Sequence, residues 1–125
     1  MKIIKTPLKG FLAIELNIFE DDRGFFLETY REEHYKKAGI VDNFLQDNHS
    51  RSIKSVLRGM HFQMKKPQAQ IVTVMRGKIF DVVVDLRKDS KTFGQWHSIE
   101  LSENSKVRQV YMAPGFAHGF LVLSD

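Results

Sequence analysis

Two histidines stand out by their neighbours. His61 sits in the run RGMHFQ and His118 in PGFAHGF, so each is flanked by glycine, where backbone bends or approaches something closely. A side chain with an ordinary pKa of ~6.5 suits general acid–base work at neutral pH. Arg58 lies three residues before His61, and an arginine's planar fork can donate paired hydrogen bonds. His34, His49 and His97 read as structural. A metal site would need three converging His or carboxylate ligands, and the histidine spacing offers no such set. With no cysteine, disulfides, thiolate sites and a cysteine nucleophile are excluded.

The elements that must position these residues are mostly strands. Segments 69–75 and 78–86 are rich in β-branched residues and flank Arg76-Gly77, which predicts a hairpin. Segments 96–101 and 106–112 flank a SENS turn, and Ala113-Pro114-Gly115 precedes a strand at 119–123. Shorter strands are expected at 24–30, 44–50 and 56–63. One helix is expected over 31–38, near the N-terminus and closed by Gly39. Many short strands argue an all-β sandwich or barrel, a jelly roll being one option. Period-two alternation puts Asp81, Val83 and Asp85 on one face, Gln46, Asn48 and Ser50 on another, and Gly59, His61 and Gln63 on a third. Polar residues recurring inside apolar strands favour a wet, ligand-holding lumen over a solvated outer face. Arg58 and His61, three apart, would face opposite sides of a flat strand unless Gly59 marks a bulge.

The chain has 125 residues, 42% hydrophobic and 27% charged, as expected for one globular domain spanning 1–125. No apolar run approaches the ~20 residues of a membrane span. The N-terminus lacks the apolar stretch of a signal peptide, so a cytoplasmic location is expected. The net charge of +4 reads as a mild surplus spread along the chain. Its densest stretch, Lys65-Lys66, is too short for a nucleic-acid arm. A small anionic ligand such as a nucleotide or diphosphate fits this balance better.

The runs RGFFLETY, LQDNHS, VLRGMHFQ, KIFDVVVDLRKDSKTFGQW and APGFAHGF, in this order, resemble the dTDP-4-dehydrorhamnose 3,5-epimerase family from about residue 21 onward. The resemblance implies a cupin-type jelly roll barrel and a homodimer that uses no metal and no cofactor. The reaction it implies inverts two carbons of a dTDP-linked 4-keto-6-deoxyhexose, in deoxysugar synthesis for surface polysaccharide. It makes His61 the general base, Arg23, Glu28, Gln46, Asn48 and Arg58 the nucleotide and diphosphate contacts, and His118 a second site histidine. The Arg23 and Glu28 segment is expected to reach across to the partner subunit. No nucleic acid or membrane partner is implied.

Two departures qualify these expectations. Gln70 stands where the family carries a lysine that helps hold the developing enolate oxygen, so charge stabilisation is expected to be weaker. The family's acid tyrosine belongs to strands and a tail beyond FLVLSD, which a chain ending at Asp125 is expected to lack, leaving Tyr30, Tyr35 and Tyr111. Pro114-Gly115-Phe116-Ala117-His118 also resembles the second metal motif of cupins. The first motif has only His61 followed by Gln63, so no bound metal is expected. The alternatives to a two-carbon epimerase are a one-carbon epimerase on a related keto-sugar and a nucleotide-sugar binding module without turnover.

Overall fold

A computed structural model describes all residues, 1–125. Its strands are β1 (Lys2–Lys5), β2 (Phe11–Glu15), β3 (Ile18–Asp21), β4 (Gly24–Leu27), β5 (Leu57–His61), β6 (Gln70–Thr73), β7 (Lys78–Asp85), β8 (Trp96–Ser102), β9 (Val107–Met112) and β10 (Phe116–Val122), with one helix, α1 (Glu32–Lys37). Two four-stranded antiparallel sheets form a jelly roll, in the orders β1-β2-β9-β6 and β5-β10-β7-β8. A two-stranded ribbon, β3-β4, stands apart. No helix is long and apolar enough to cross a membrane.

The core between the sheets is built by alternate residues of facing strands. Phe11, Val83, Leu101, Val110, Met112 and Phe116 belong to one buried cluster. Each such side chain contributes ~1.5–3 kcal/mol by leaving water. The outer face of the first sheet buries a second cluster, Ile14, Leu16, Tyr35, Ile40 and Tyr111, beneath α1.

At six residues α1 is too short to persist alone, since isolated helices below ~12–15 residues are marginal in water. It is held at its end and by one side chain. Gly39 takes φ +93°, its N–H reaching Lys36 O while the Ile40 N–H reaches Tyr35 O, so the last carbonyls are satisfied. Tyr35 is buried, and its hydroxyl meets Gln109 Oε1. Gln109 Nε2 donates in turn to Thr29 O and Thr73 Oγ1, both at 2.8 Å. Burial pushes the Tyr35 hydroxyl up to about 12, against the hydrogen bond to Gln109.

Three expectations are corrected. The strands flanking Arg76-Gly77 do not form a hairpin. β6 pairs with β9 and β7 with β10 and β8, so the turn carries the chain from one sheet to the other. Val74 is buried at this corner, its N–H bonded to Arg108 O. Residues 44–50 form no strand, because no neighbouring strand pairs with them. Three N-terminal strands, β1, β2 and β3, were not expected. β2 shows why: Phe11, Ala13 and Ile14 are buried and lie on both faces of the sheet, which hides the period-two pattern.

Candidate active site

β7 fixes the polarity of the barrel interior. Asp81, Val83 and Asp85 are all fully buried, whereas Phe80 on the other face is exposed. The aspartates therefore point inward, as the lumen reading requires. On β10, His118 pairs with Val83 and Phe120 with Asp81, which puts His118 and Asp81 on one face. His118 Nε2 lies 2.6 Å from Asp81 Oδ2, a short hydrogen bond between the two side chains. Asp81 Oδ1 is buried without a partner. Burial pushes the Asp81 carboxyl above the ordinary range, while the hydrogen bond and charge of His118 pull it down. The pair locks the His118 ring and leaves its Nδ1 without a protein partner.

His61 is opposite His118 across the β5–β10 ladder. Phe120 is opposite Arg58, so two steps along β10 match three along β5. This is the bulge the parity argument demands, and it returns Arg58 and His61 to the same face. Glycine makes it possible. A Cβ on Gly59 would lie 2.5 Å from Gly119 Cα and 2.7 Å from His118 O, and Gly59 adopts φ +112°. The close approach of two glycines, Gly59 and Gly119, is what sets the two histidines side by side.

Gly59→Ala is therefore expected to lower the melting temperature and to displace His61. Gly94→Ala, at φ +79° with no atom nearby, isolates the backbone strain of about 1–3 kcal/mol. Thermal melting should show the larger loss at Gly59. Equal losses would mean that the strands separate without cost.

A pocket of about 240 Å³ opens here, lined by His61, Phe62, Gln63, Pro67, Gln68, Gln70, Met112, Gly115, Phe116 and His118. Its titratable side chains are the two histidines. Gln70 is paired with Met112 on β9 and shares its face, so its neutral amide faces the pocket. No three His, Asp or Glu side chains converge as a metal-ligand set.

The other expected site residues lie elsewhere in the single chain. Arg23 is 91% exposed at the tip of the β3-β4 ribbon and is paired with Asp21. Glu28 bonds His34 at 3.1 Å. Gln46 donates to Asn48 at 3.1 Å in the exposed segment before β5. Arg58 Nε donates to Ser52 Oγ at 2.8 Å. None of these five lines the pocket. His97 packs edge-on against Phe11, and His49 is exposed. The tyrosines are also elsewhere. Tyr30 packs at a tilt against Tyr35 and edge-on against Phe44, and the Tyr111 hydroxyl bonds Asp42 on the face of β9 opposite Met112. Burial first, then Asp42, raises the Tyr111 hydroxyl far above its ordinary value.

Asp81 was absent from the expected site, although an aspartate alternating with valines on β7 was its signal. Phe62, Pro67, Gln68, Met112 and Phe116 gave none, because pocket membership depends on how the two sheets face each other.

A two-sheet jelly roll with a polar pocket between its sheets places the protein among the cupin-type barrels. The chain matches, over residues 5–125, the sequence family described as dTDP-4-dehydrorhamnose 3,5-epimerase. It belongs to that family. The epimerase of this name from Methanothermobacter thermautotrophicus is 49% identical over 124 residues, 99% of this chain and 66% of the relative. The dTDP-6-deoxy-D-glucose-3,5-epimerase of Legionella pneumophila, solved with dTDP-4-keto-L-rhamnose, superposes with a TM-score of 0.94 at 48% identity. That match covers 98% of this chain and 65% of the other. ChmJ, a 3'-monoepimerase from Streptomyces bikiniensis solved with dTDP-quinovose, gives 0.88 at 32% identity, covering 98% and 62%. The chain thus spans about two thirds of the length of these relatives.

Proposed function

We propose that this chain carries the proton-transfer site of an epimerase acting on a dTDP-linked 4-keto-6-deoxyhexose, in dTDP-rhamnose or related deoxysugar synthesis. The observation that carries the reading is the pairing of His61 with His118 across the β5–β10 bulge, with buried Asp81 behind His118. A ketone acidifies the carbons on either side of it, because the electrons left by the departing proton spread onto oxygen. His61 has the open ring and the pocket position to take that proton. His118, with Nε2 held by Asp81, is a fixed hydrogen-bonding group for the sugar. The enolate oxygen meets amides rather than a cation, Gln70 being the nearest in kind to a charge-stabilising donor.

The nucleotide and diphosphate contacts on this reading are Arg23, Glu28, Gln46, Asn48 and Arg58. Two of them need a partner. The β3-β4 ribbon exposes Phe19, Phe25 and Phe26 and carries Arg23 away from its own pocket, which supports a homodimer whose ribbons cross between subunits; on this reading it works in the cytoplasm. A second reading, inversion of one carbon, is favoured by the absence of any cation lining the pocket and by the likeness to a monoepimerase.

Binding comes first among the tests. dTDP should raise the melting temperature, and Arg58→Ala should abolish that rise. Absence of a shift with every nucleoside diphosphate would remove both the epimerase and the binding-module readings.

A further inference from the structure

Residues 28–31 lie between the end of β4 and the start of α1 and belong to neither, so the Thr29 carbonyl has no ladder to join. Two buried side chains meet it instead. Gln109 Nε2 and the Tyr35 hydroxyl each lie 2.8 Å from Thr29 O. Tyr35 has one proton to give. With Thr29 O already served by Gln109, that proton goes to Gln109 Oε1, and Gln109 Nε2 gives its second hydrogen to Thr73 Oγ1. Tyr35 and Gln109 are no more than 2% exposed, and every polar atom of the amide has a partner. Burying an amide is costly unless it is satisfied, and a satisfied one dictates a geometry that apolar packing alone does not.

The residue beside this clamp is Glu28. His34 of α1 bonds its carboxylate at 3.1 Å, and Tyr35, the next residue, seats that helix against the first sheet. Glu28 is thus fixed twice, through the Thr29 backbone and through the His34 ring, and both fixings lead to Tyr35 and Gln109. The rest of the β3-β4 ribbon is fastened nearby. On its other leg the Leu16 N–H donates to Lys106 O at 2.9 Å, and the Arg108 guanidinium of β9 lies 5.6 Å from the centre of the Phe25 ring. An arm with a defined base has less freedom to lose when a ligand binds, which favours affinity.

We propose that Tyr35 and Gln109 are positioning residues for Glu28, setting it and the ribbon it terminates in their binding geometry before a ligand arrives. The effect on a ligand rests on Glu28 being a nucleotide contact, as in the function proposed above; the clamp on Thr29 needs no ligand.

Calorimetric titration with dTDP tests this in a double-mutant cycle. Tyr35→Phe/Gln109→Met removes both donors to Thr29 O and leaves apolar side chains of similar size. It should bind dTDP about tenfold more weakly than the parent. The same two substitutions made in Glu28→Gln should add no further loss, whereas a general loosening of the fold would weaken both backgrounds alike. Thr73→Val takes from Gln109 a hydrogen bond of the same length without touching Thr29, and should bind as the parent does. Deuterium exchange into saturating sugar should keep the parent rate, with only KM raised, because neither Tyr35 nor Gln109 lines the pocket. Should the double variant not fold, Gln109→Met alone, which leaves the Tyr35 hydroxyl to Thr29 O, should lose about threefold. Amide hydrogen exchange over residues 24–31 reads the clamp without ligand, and should quicken in the double variant but not in Thr73→Val. Undiminished dTDP affinity, or the same loss in both backgrounds, would overturn the positioning role alone. A parent that does not bind dTDP would remove the nucleotide reading; amide exchange then decides the clamp, faster exchange upholding it and unchanged exchange overturning it.

Discussion

His61→Asn is expected to lower hydrogen exchange at the carbon beside the substrate ketone by ~10²–10⁴-fold, the usual loss on removing a positioned base. Asparagine keeps a polar side chain of similar reach but has no nitrogen that accepts a proton near neutral pH. The backbone at this position is set by the Gly59 bulge and the pairing with His118, so the substitution leaves the strand register intact. The melting shift produced by dTDP should therefore persist. The same variant of His118 would behave differently, because it also strands the buried carboxyl of Asp81. Exchange by His61→Asn at the parent rate would show that another group is the base.

The second large effect concerns stability. Asp85→Ala is expected to cost ~3–5 kcal/mol, the penalty for breaking a buried ionic network by removing one partner. Asp85 is fully buried and accepts from the Arg87 backbone N–H, Nε and Nη2, and from the hydroxyls of Ser90 and Thr92. Arg87 in turn lies over the Phe116 ring at 4.6 Å and donates to Lys9 O. A Cβ on Gly115 would strike it at 2.4 Å. The network thus holds the pocket end of β10, where Gly115 and Phe116 line the wall.

Burial opposes the charge on Asp85, but the donors of Arg87, Ser90 and Thr92 prevail and hold its carboxyl well below the usual carboxylate range. With the folded value depressed, the contribution is complete above the unfolded value of ~3.9 and is lost as pH falls from there toward the folded value. Asp81 acts in the opposite sense. Its folded value is raised, so it favours the fold most below ~3.9 and loses that contribution as pH rises through the raised value. Urea unfolding between pH 3 and 7 should show the parent losing stability on the acid side. Asp85→Asn, less stable at neutral pH, should lose less there. A parallel acid decline in both proteins would mean that Asp85 is not held as a carboxylate.

Much of this site was legible in the chain because its signals are local. Glycines beside His61 and His118 marked the close approach that Gly59 and Gly119 make, and a bulge was deducible from the three-residue spacing of Arg58 and His61. The alternation of Asp81, Val83 and Asp85 indicated an inward polar face. What escaped is set by pairing at a distance. Arg76-Gly77 has the same composition whether it closes a hairpin or turns the chain between sheets, and only the partners β9 and β10 decide. Residues 44–50 alternate like a strand but have no ladder to join. The site residues Gln46, Asn48, Arg23 and Glu28 were assigned by resemblance, and a single chain does not bring them to the pocket. No local pattern could have done so, since the ribbon that carries Arg23 leaves Phe19, Phe25 and Phe26 largely exposed, with only the Arg108 guanidinium over the Phe25 ring.

The most direct test of the account is incubation of the chain with a dTDP-4-keto-6-deoxyhexose in D₂O, followed by proton NMR of the sugar. On the function proposed above, His61 removes the proton, whereas no tyrosine lines the pocket to return one from the opposite face. Deuterium is expected at a carbon beside the ketone, entering faster than configuration inverts. Bound sugar that gains no deuterium over hours would contradict proton abstraction at His61 and leave a binding module in its place.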